Sequence, residues 1–176
     1  MVDEEGDAPA LIAQHGRAAD AIVIARPADH EAEHVRLGLH AALFDTGSPV
    51  LVVPPDFTGP LGHVVAIAWQ DDERAVKAVR AGIPVLRHAQ SIHVLHAGGA
   101  AEHPPVLTEH GLAATLHAVP DGEGSVGERI LRAAHEVGAD LLVMGAFAHG
   151  EWREAMFGGV TRAMLASADL PLLMRH

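Results

Sequence analysis

Short apolar runs alternate with amphipathic stretches along most of the chain. The runs consist mainly of Val, Leu, Ile and Ala, which predicts strands buried on both faces of a parallel sheet. The predicted strands are residues 19–25, 49–53, 63–69, 91–97, 113–119, 141–144 and 171–174. Because the strands alternate with helical segments, the pattern predicts an α/β fold with right-handed crossover connections.

Three stretches between these strands have apolar residues at helical spacing. Asp29 and Asp72 precede the first two and are predicted N-caps, whereas Ser125 and Glu128 form a capping box before the third. Pro84 is predicted to kink or split the second helix, because proline removes a backbone donor. The three helices are predicted at residues 29–44, 73–88 and 125–137, with shorter helical segments at 8–18 and 106–110.

Paired glycines follow the strand at residues 141–144. Gly145 ends this strand, and Gly158 and Gly159 open the next helix. Glycines at the start of a helix let backbone N–H groups approach an anion at the positive helix end. Thr161, in the first turn of that helix, has a hydroxyl that can donate a hydrogen bond to a phosphate. This stretch therefore predicts a binding site for an anionic ligand.

The same stretch resembles the C-terminal part of the universal stress protein family. In the ATP-binding branch of that family the motif is Gly, two residues, Gly, nine residues, Gly and then a small residue. The string REAMFGGVTR and the ending LPLLM are also similar to family members. The motif positions are held here, with the same spacing, by Gly145, Ala148, Gly158 and Gly159.

This resemblance implies a doubly wound fold for residues 63–176. The family has a parallel five-stranded sheet with strand order 3-2-1-4-5. The order reverses between strands 1 and 4, so their carboxyl ends form a crevice in which a ligand can bind.

The resemblance also implies ATP, with Mg²⁺, in this crevice. The family's acidic position after the first strand is held by Gln70, with Asp71 one residue later. Two alternatives remain: the glycines shape only a turn, and Asp71 and Asp72 only cap the next helix. Ala148 stands where the motif has a glycine and favours these alternatives. The implied contact residues are Gln70, Asp71, Gly145, Ala148, His149, Gly158, Gly159, Val160 and Thr161.

An internal repeat divides the chain. Residues 19–25 resemble residues 139–145, and residues 48–53 resemble residues 170–174, at offsets of 120 and 122 residues. Residues 1–62 are therefore predicted to be the C-terminal half of a first universal-stress-type repeat with a linker, and residues 63–176 a complete domain. Domains of this family pair their last strands, so the strands at 49–53 and 171–174 are expected to pair antiparallel.

Composition excludes several classes of function. The formal net charge of −11 argues against binding to nucleic acid or an anionic membrane. The chain has no cysteine, and its 14 histidines are scattered, with only His30 and His34 one helical turn apart. No metal centre and no catalytic residues are therefore predicted, and ATP hydrolysis has little support. The N-terminus lacks the features of a signal peptide, so a cytoplasmic protein is expected.

Two functions follow as hypotheses. The first is adenine nucleotide binding with a regulatory or protective role in a stress response. The alternative is a scaffold of the same fold that binds no nucleotide and acts through dimerisation. The open edge expected at residues 22–25 predicts a homodimer or larger assembly through residues 1–45.

Overall fold

The computed structural model describes residues 4–26, 33–55, 57–98, 102–146 and 159–176. The predicted alternation of strands and helices is confirmed in this part of the chain. The helices are α1 (Ala8–Gly16), α2 (Glu33–Phe44), α3 (Glu73–Leu86), α4 (Pro105–Glu109), α5 (Val126–Glu136) and α6 (Gly159–Ser167). The strands are β1 (Ile22–Ala25), β2 (Val50–Val53), β3 (Val64–Trp69), β4 (Ser91–Ala97), β5 (Thr115–Val119), β6 (Leu141–Gly145) and β7 (Leu172–Arg175).

All seven strands form one sheet in the order β1-β2-β7-β6-β3-β4-β5. Every neighbouring pair is parallel except β2 and β7, which are antiparallel, with Leu51 opposite Leu173. The antiparallel pairing predicted from the internal repeat is therefore confirmed. The five strands of residues 64–175 keep the predicted order, and the pairing of β2 with β7 joins them to β1 and β2 in one seven-stranded sheet.

Helices cover both faces of this sheet with two apolar layers. One layer is continuous along the sheet and joins α2 and β2 to α5 and α6, so the N-terminal and C-terminal segments share a core. The other layer packs α3 and α4 mainly onto β3, β4 and β6. Burial on both faces explains why the strands are apolar runs and do not alternate with polar residues.

Local sequence rules account for several helix ends. Ser125 accepts a hydrogen bond from the Glu128 N–H, and the Glu128 carboxylate accepts one from the Ser125 N–H, which confirms the capping box. The expected split at Pro84 is wrong, because α3 continues through it to Leu86, whereas a kink there stays a prediction. Pro84 lies exposed in the last turn, where the carbonyl left without a donor belongs to the exposed Arg80. The predicted N-cap Asp29 lies outside the described residues.

Candidate functional site at the carboxyl edge of the sheet

A cavity of about 560 Å³ opens at the carboxyl ends of β3, β4 and β6. The first turns of α3, α5 and α6 complete its walls. This is where a doubly wound sheet reverses its strand order, and the volume suits a small organic ligand. The cavity is lined by Ala68, Trp69, Gln70, Asp72, Arg74, Ala75, His96, Ala97, Gly98, Val126, Ile130, Met144, Gly145, Ala146, Gly159, Val160 and Thr161.

Gly145 allows the end of β6 to approach the start of α3. A Cβ atom at this position would lie 2.9 Å from the Ala75 nitrogen and 2.9 Å from the Arg74 Cβ. Both distances are too short for a carbon side chain, and one of the neighbours is backbone. Close packing of strand against helix therefore explains this glycine, independently of any ligand.

Gly159 has a different environment. A Cβ atom there would meet no atom of the described residues within 4 Å, and the residue is exposed at the first position of α6. Gly159, Val160 and the buried Thr161 all line the cavity. The first turn of α6 therefore forms part of the cavity wall.

Gly127 on α5 allows α6 to lie close to it. A Cβ atom at Gly127 would come within 2.8 Å of the Ala163 Cβ and 3.1 Å of the Val160 carbonyl oxygen. Sequence reasoning missed this glycine because it lies in a good amphipathic helix, where nothing nearby in the chain indicates the contact. Its role depends on a helix more than 30 residues away in the sequence.

Asp72 is the N-cap of α3, as the sequence predicted. Its carboxylate accepts hydrogen bonds from the N–H groups of Arg74 at 3.0 Å and Ala75 at 2.9 Å, and it pairs with the Arg74 guanidinium at 2.9 Å. Burial raises the pKa of Asp72, but the hydrogen bonds from Ala75 and Arg74 and the Arg74 charge outweigh it. The pKa therefore lies below its ordinary value. Gln70 lines the cavity, whereas Asp71 is exposed and does not.

The structure brings five of the nine implied contact residues to one cavity. They are Gln70, Gly145, Gly159, Val160 and Thr161. Ala148, His149 and Gly158 lie outside the described residues, as does Trp152. Trp69 borders the cavity but is only 5% exposed and packs within the apolar layer under α3.

The wall formed by β4 and α5 was not predicted. His96 and Gly98 lie at the end of β4, and Val126 and Ile130 lie on α5. These residues carry no sequence motif, and only the strand order brings them beside Gly145. The Nδ1 atom of His96 is buried and has no hydrogen-bond partner among the described residues.

Other polar clusters are small. His93 and His117 share a hydrogen bond of 2.9 Å across β4 and β5, and the His93 ring also contacts the Ser91 hydroxyl at 3.1 Å. Burial lowers the pKa of His93, and the neighbouring His117 lowers it further. Among the residues that the structure describes, no three His, Asp or Glu side chains are grouped to hold a metal ion. No helix in the described ranges is long and apolar enough to cross a membrane.

Comparison with known sequences identifies the C-terminal third of the chain. Residues 119–176 match the model of the universal stress protein family. This range contains the end of β5, α5, β6, α6 and β7, which together form one side of the cavity. No curated protein matches the sequence.

Comparison with solved structures covers nearly the whole chain. A universal stress protein from Archaeoglobus fulgidus has 17% identity and a TM-score of 0.72, over 95% of this chain and 64% of that one. A putative universal stress protein from Pseudomonas aeruginosa has 16% identity and a TM-score of 0.67, over 98% of this chain and 69% of that one. The present chain therefore spans about two thirds of the length of these two structures.

A shorter universal stress protein from Archaeoglobus fulgidus matches differently. It has 21% identity and a TM-score of 0.50, and the match covers 63% of this chain but 96% of that one. At these identities the structural matches show a shared fold.

Proposed function

Because this chain has the fold of universal stress proteins and its residues 119–176 match that family's model, we propose that it binds an adenine nucleotide in the cavity. The proposed role is regulatory or protective in a cytoplasmic stress response, with Mg²⁺ accompanying ATP. One observation carries the proposal. A 560 Å³ cavity lies at the reversal of strand order, and the exposed Gly159 opens α6 into it.

Two of the three helix N-termini at the cavity carry the protein's own caps. At α3, the Asp72 carboxylate already accepts from the first N–H groups, and at α5 Ser125 and Glu128 form a capping box. These two ends are therefore occupied by the protein's own acceptors. The N-terminus of α6 lines the cavity with Gly159, Val160 and Thr161, and we assign the phosphate oxygens to it.

The apolar part of the cavity lining suits a nucleobase. Ala68, Ala97, Val126 and Ile130 provide small or aliphatic surfaces at the ends of β3 and β4 and on α5. A planar base gains from burial against such surfaces, while Gln70 and His96 offer polar groups at their edge. The cavity thus combines an apolar region with a helix N-terminus, as a nucleotide requires.

Isothermal titration with MgATP tests this function. Gly159→Val should fold, because its Cβ meets no described atom and its φ is not in the left-handed region, yet it should abolish binding by filling the space at α6. Gly122→Val, at an exposed loop glycine outside the cavity whose added Cβ also meets no described atom, is the matched control and should bind as wild type does. Absence of binding in wild type, or equal binding by Gly159→Val, would contradict the proposal.

Ala148 provides a second test of the same site. If its methyl group restricts the phosphate loop, Ala148→Gly should increase ATP affinity roughly fivefold to thirtyfold, because a backbone penalty of about 1–2 kcal/mol is relieved. Gly158→Val should decrease affinity. Circular dichroism controls for folding.

The scaffold alternative rests on strand β1. Its Val23 side chain is 67% exposed, and β1 is an outer strand of the sheet that ends in the exposed Ala25. The other outer strand, β5, exposes Thr115 and the small Ala118 instead. An apolar outer strand can extend its sheet by pairing with a second copy of the chain.

Light scattering at high micromolar concentration tests this assembly. We expect a homodimer that Val23→Lys converts to a monomer, because a charge on the strand opposes pairing. Leu61→Lys is the control, since Leu61 is also exposed but lies outside residues 1–45. A monomeric wild type would rule out self-association through β1.

A further inference from the structure

Arg26 links the N-terminal segment to the helix that borders the cavity. It follows β1, and its Nη1 atom donates to the carbonyl oxygens of Ala166 at 2.7 Å and Leu165 at 3.2 Å. These carbonyls lie in the last turn of α6, 139 and 140 residues away in the sequence. The last carbonyls of a helix have no partner within the helix, and a cation there also favours the helix dipole.

The helix held by Arg26 is short and depends on its surroundings. α6 has nine residues, which is too few for a stable helix in isolation. One side packs closely on α5 at Gly127, and Met164 and Ala168 are fully buried in the shared core. Arg26 supplies a polar attachment at the carboxyl end, opposite the end that opens into the cavity.

A second contact joins the N-terminal segment to Ala146, the residue that follows β6. The Phe44 ring on α2 lies 4.7 Å from the His176 ring, and His176 Nδ1 lies 3.1 Å from the Ala146 carbonyl oxygen. Ala146 lines the cavity directly after β6. The N-terminal segment therefore contacts α6 directly and Ala146 through His176, although none of the segment's described residues line the cavity.

We propose that Arg26 is a positioning residue for the cavity, holding α6 by its carboxyl end so that its amino end stays directed at the ligand. The role in ligand affinity rests on the proposed nucleotide binding, whereas the effect on α6 does not. Arg17 provides a comparison within the same segment. Its Nε donates to the Asp45 carbonyl oxygen at 3.0 Å. Arg17 therefore makes a similar bond, but to a carbonyl that does not belong to α6.

Hydrogen exchange of the full chain, without ligand, is the first measurement. Arg26→Ala should increase exchange of the amides in residues 159–168 on the order of fivefold to tenfold, because the last turn loses its charged partner. Arg17→Ala should leave these amides unchanged. Arg26→Lys should restore most of the protection, since an ammonium group can also donate to helix carbonyls. Equal exchange of α6 in Arg26→Ala and Arg17→Ala would overturn the proposal.

MgATP titration of the same variants is the second measurement. Arg26→Ala should bind on the order of tenfold more weakly than wild type, and Arg26→Lys should recover affinity. Faster α6 exchange with unchanged affinity would overturn the positioning role. If wild type binds no ATP, the proposed nucleotide function fails, and the ligand-free exchange comparison still decides whether Arg26 holds α6.

Discussion

Two segments of the chain form equivalent pairs of parallel strands in different surroundings. In the first, Ile22 of β1 lies opposite Val50 of β2, and in the second, Leu142 of β6 lies opposite Leu172 of β7. These pairs correspond at the offsets of the internal repeat. The bonds at the strand ends also correspond. The Ile22 and Leu142 N–H groups donate to the carbonyls of Pro49 and Pro171 at 2.9 and 3.0 Å.

The surroundings of the two strand pairs differ on one face and one edge. β6 has β3 beside it and α3 above it, whereas β1 has no such partners among the described residues. The equivalent valines show the effect: Val143 is 0% exposed and Val23 is 67% exposed. The same apolar strand is therefore a core element in one repeat and a surface element in the other.

The glycine at the end of β6 is also explained by what packs on the strand. Gly145 is needed because α3 packs against it, whereas its counterpart Ala25 is exposed and no helix of the described residues covers it. A glycine that resembles a ligand motif is thus explained first by a neighbouring helix. Comparison of the repeats separates the requirements of the strand itself from those of the elements packed on it.

Truncation of the equivalent valines should give the largest contrast. Val143→Ala should lower the free energy of unfolding by about 2–3 kcal/mol, because buried methyl groups are lost and a cavity remains. Val23→Ala should change it by less than about 0.5 kcal/mol, as for an exposed site. Urea denaturation followed by circular dichroism measures both. Equal losses would mean that β1 is covered in solution, as dimerisation would cause.

Addition of a side chain at the equivalent strand ends should give the next contrast. Gly145→Ala places a Cβ 2.9 Å from the Ala75 nitrogen and should destabilise by about 1–2 kcal/mol, since overpacking is partly offset by reduced chain flexibility. Ala25→Val should change stability by less than about 0.5 kcal/mol, because the residue is exposed. If Gly145→Ala were neutral, the approach of α3 to β6 would not explain this glycine.

Much of this architecture follows from local sequence. The apolar runs predicted every strand, the three-residue spacing of Ser125 and Glu128 predicted a helix start, and the repeat predicted the antiparallel pairing of β2 with β7. These features depend on residues that are close in the chain or on a pattern that occurs twice. Five implied contact residues lie at one cavity because Gln70 follows β3, Gly145 ends β6, and residues 159–161 open α6.

The remaining features depend on distant contacts. Arg26 reaches carbonyls near residue 165, and Gly127 accommodates α6, yet nothing beside either residue in the sequence indicates its partner. The resemblance implied that β4 lies next to β3, but no motif marks His96 itself as part of the cavity wall. A sequence pattern describes which face of an element is apolar, and tertiary structure decides what covers that face.

Acidification should give the smallest change in the free energy of unfolding. It should act through one histidine at each end of the sheet. Burial lowers the pKa of His40 on α2, and the nearby Asp45 offsets this only in part. His40 also stacks on Phe44 at 4.7 Å. The unfolded chain therefore binds this proton more readily than the folded one. The resulting stabilisation is present above the ordinary pKa of 6.5 and is lost as the pH falls through the lower folded value.

The pH dependence of unfolding tests this assignment. His40→Gln should reduce the loss of stability between neutral and mildly acidic pH, because the group that takes up a proton on unfolding is removed. His93→Gln should reduce it as well, since the pKa of His93 is also lowered, but at the other end of the sheet. Hydrogen exchange at the two pH values locates each effect. His40→Gln should protect α2 at acidic pH, and His93→Gln should protect β4 and β5. If His40→Gln left the acid sensitivity of α2 unchanged, protonation of another group would control the N-terminal repeat.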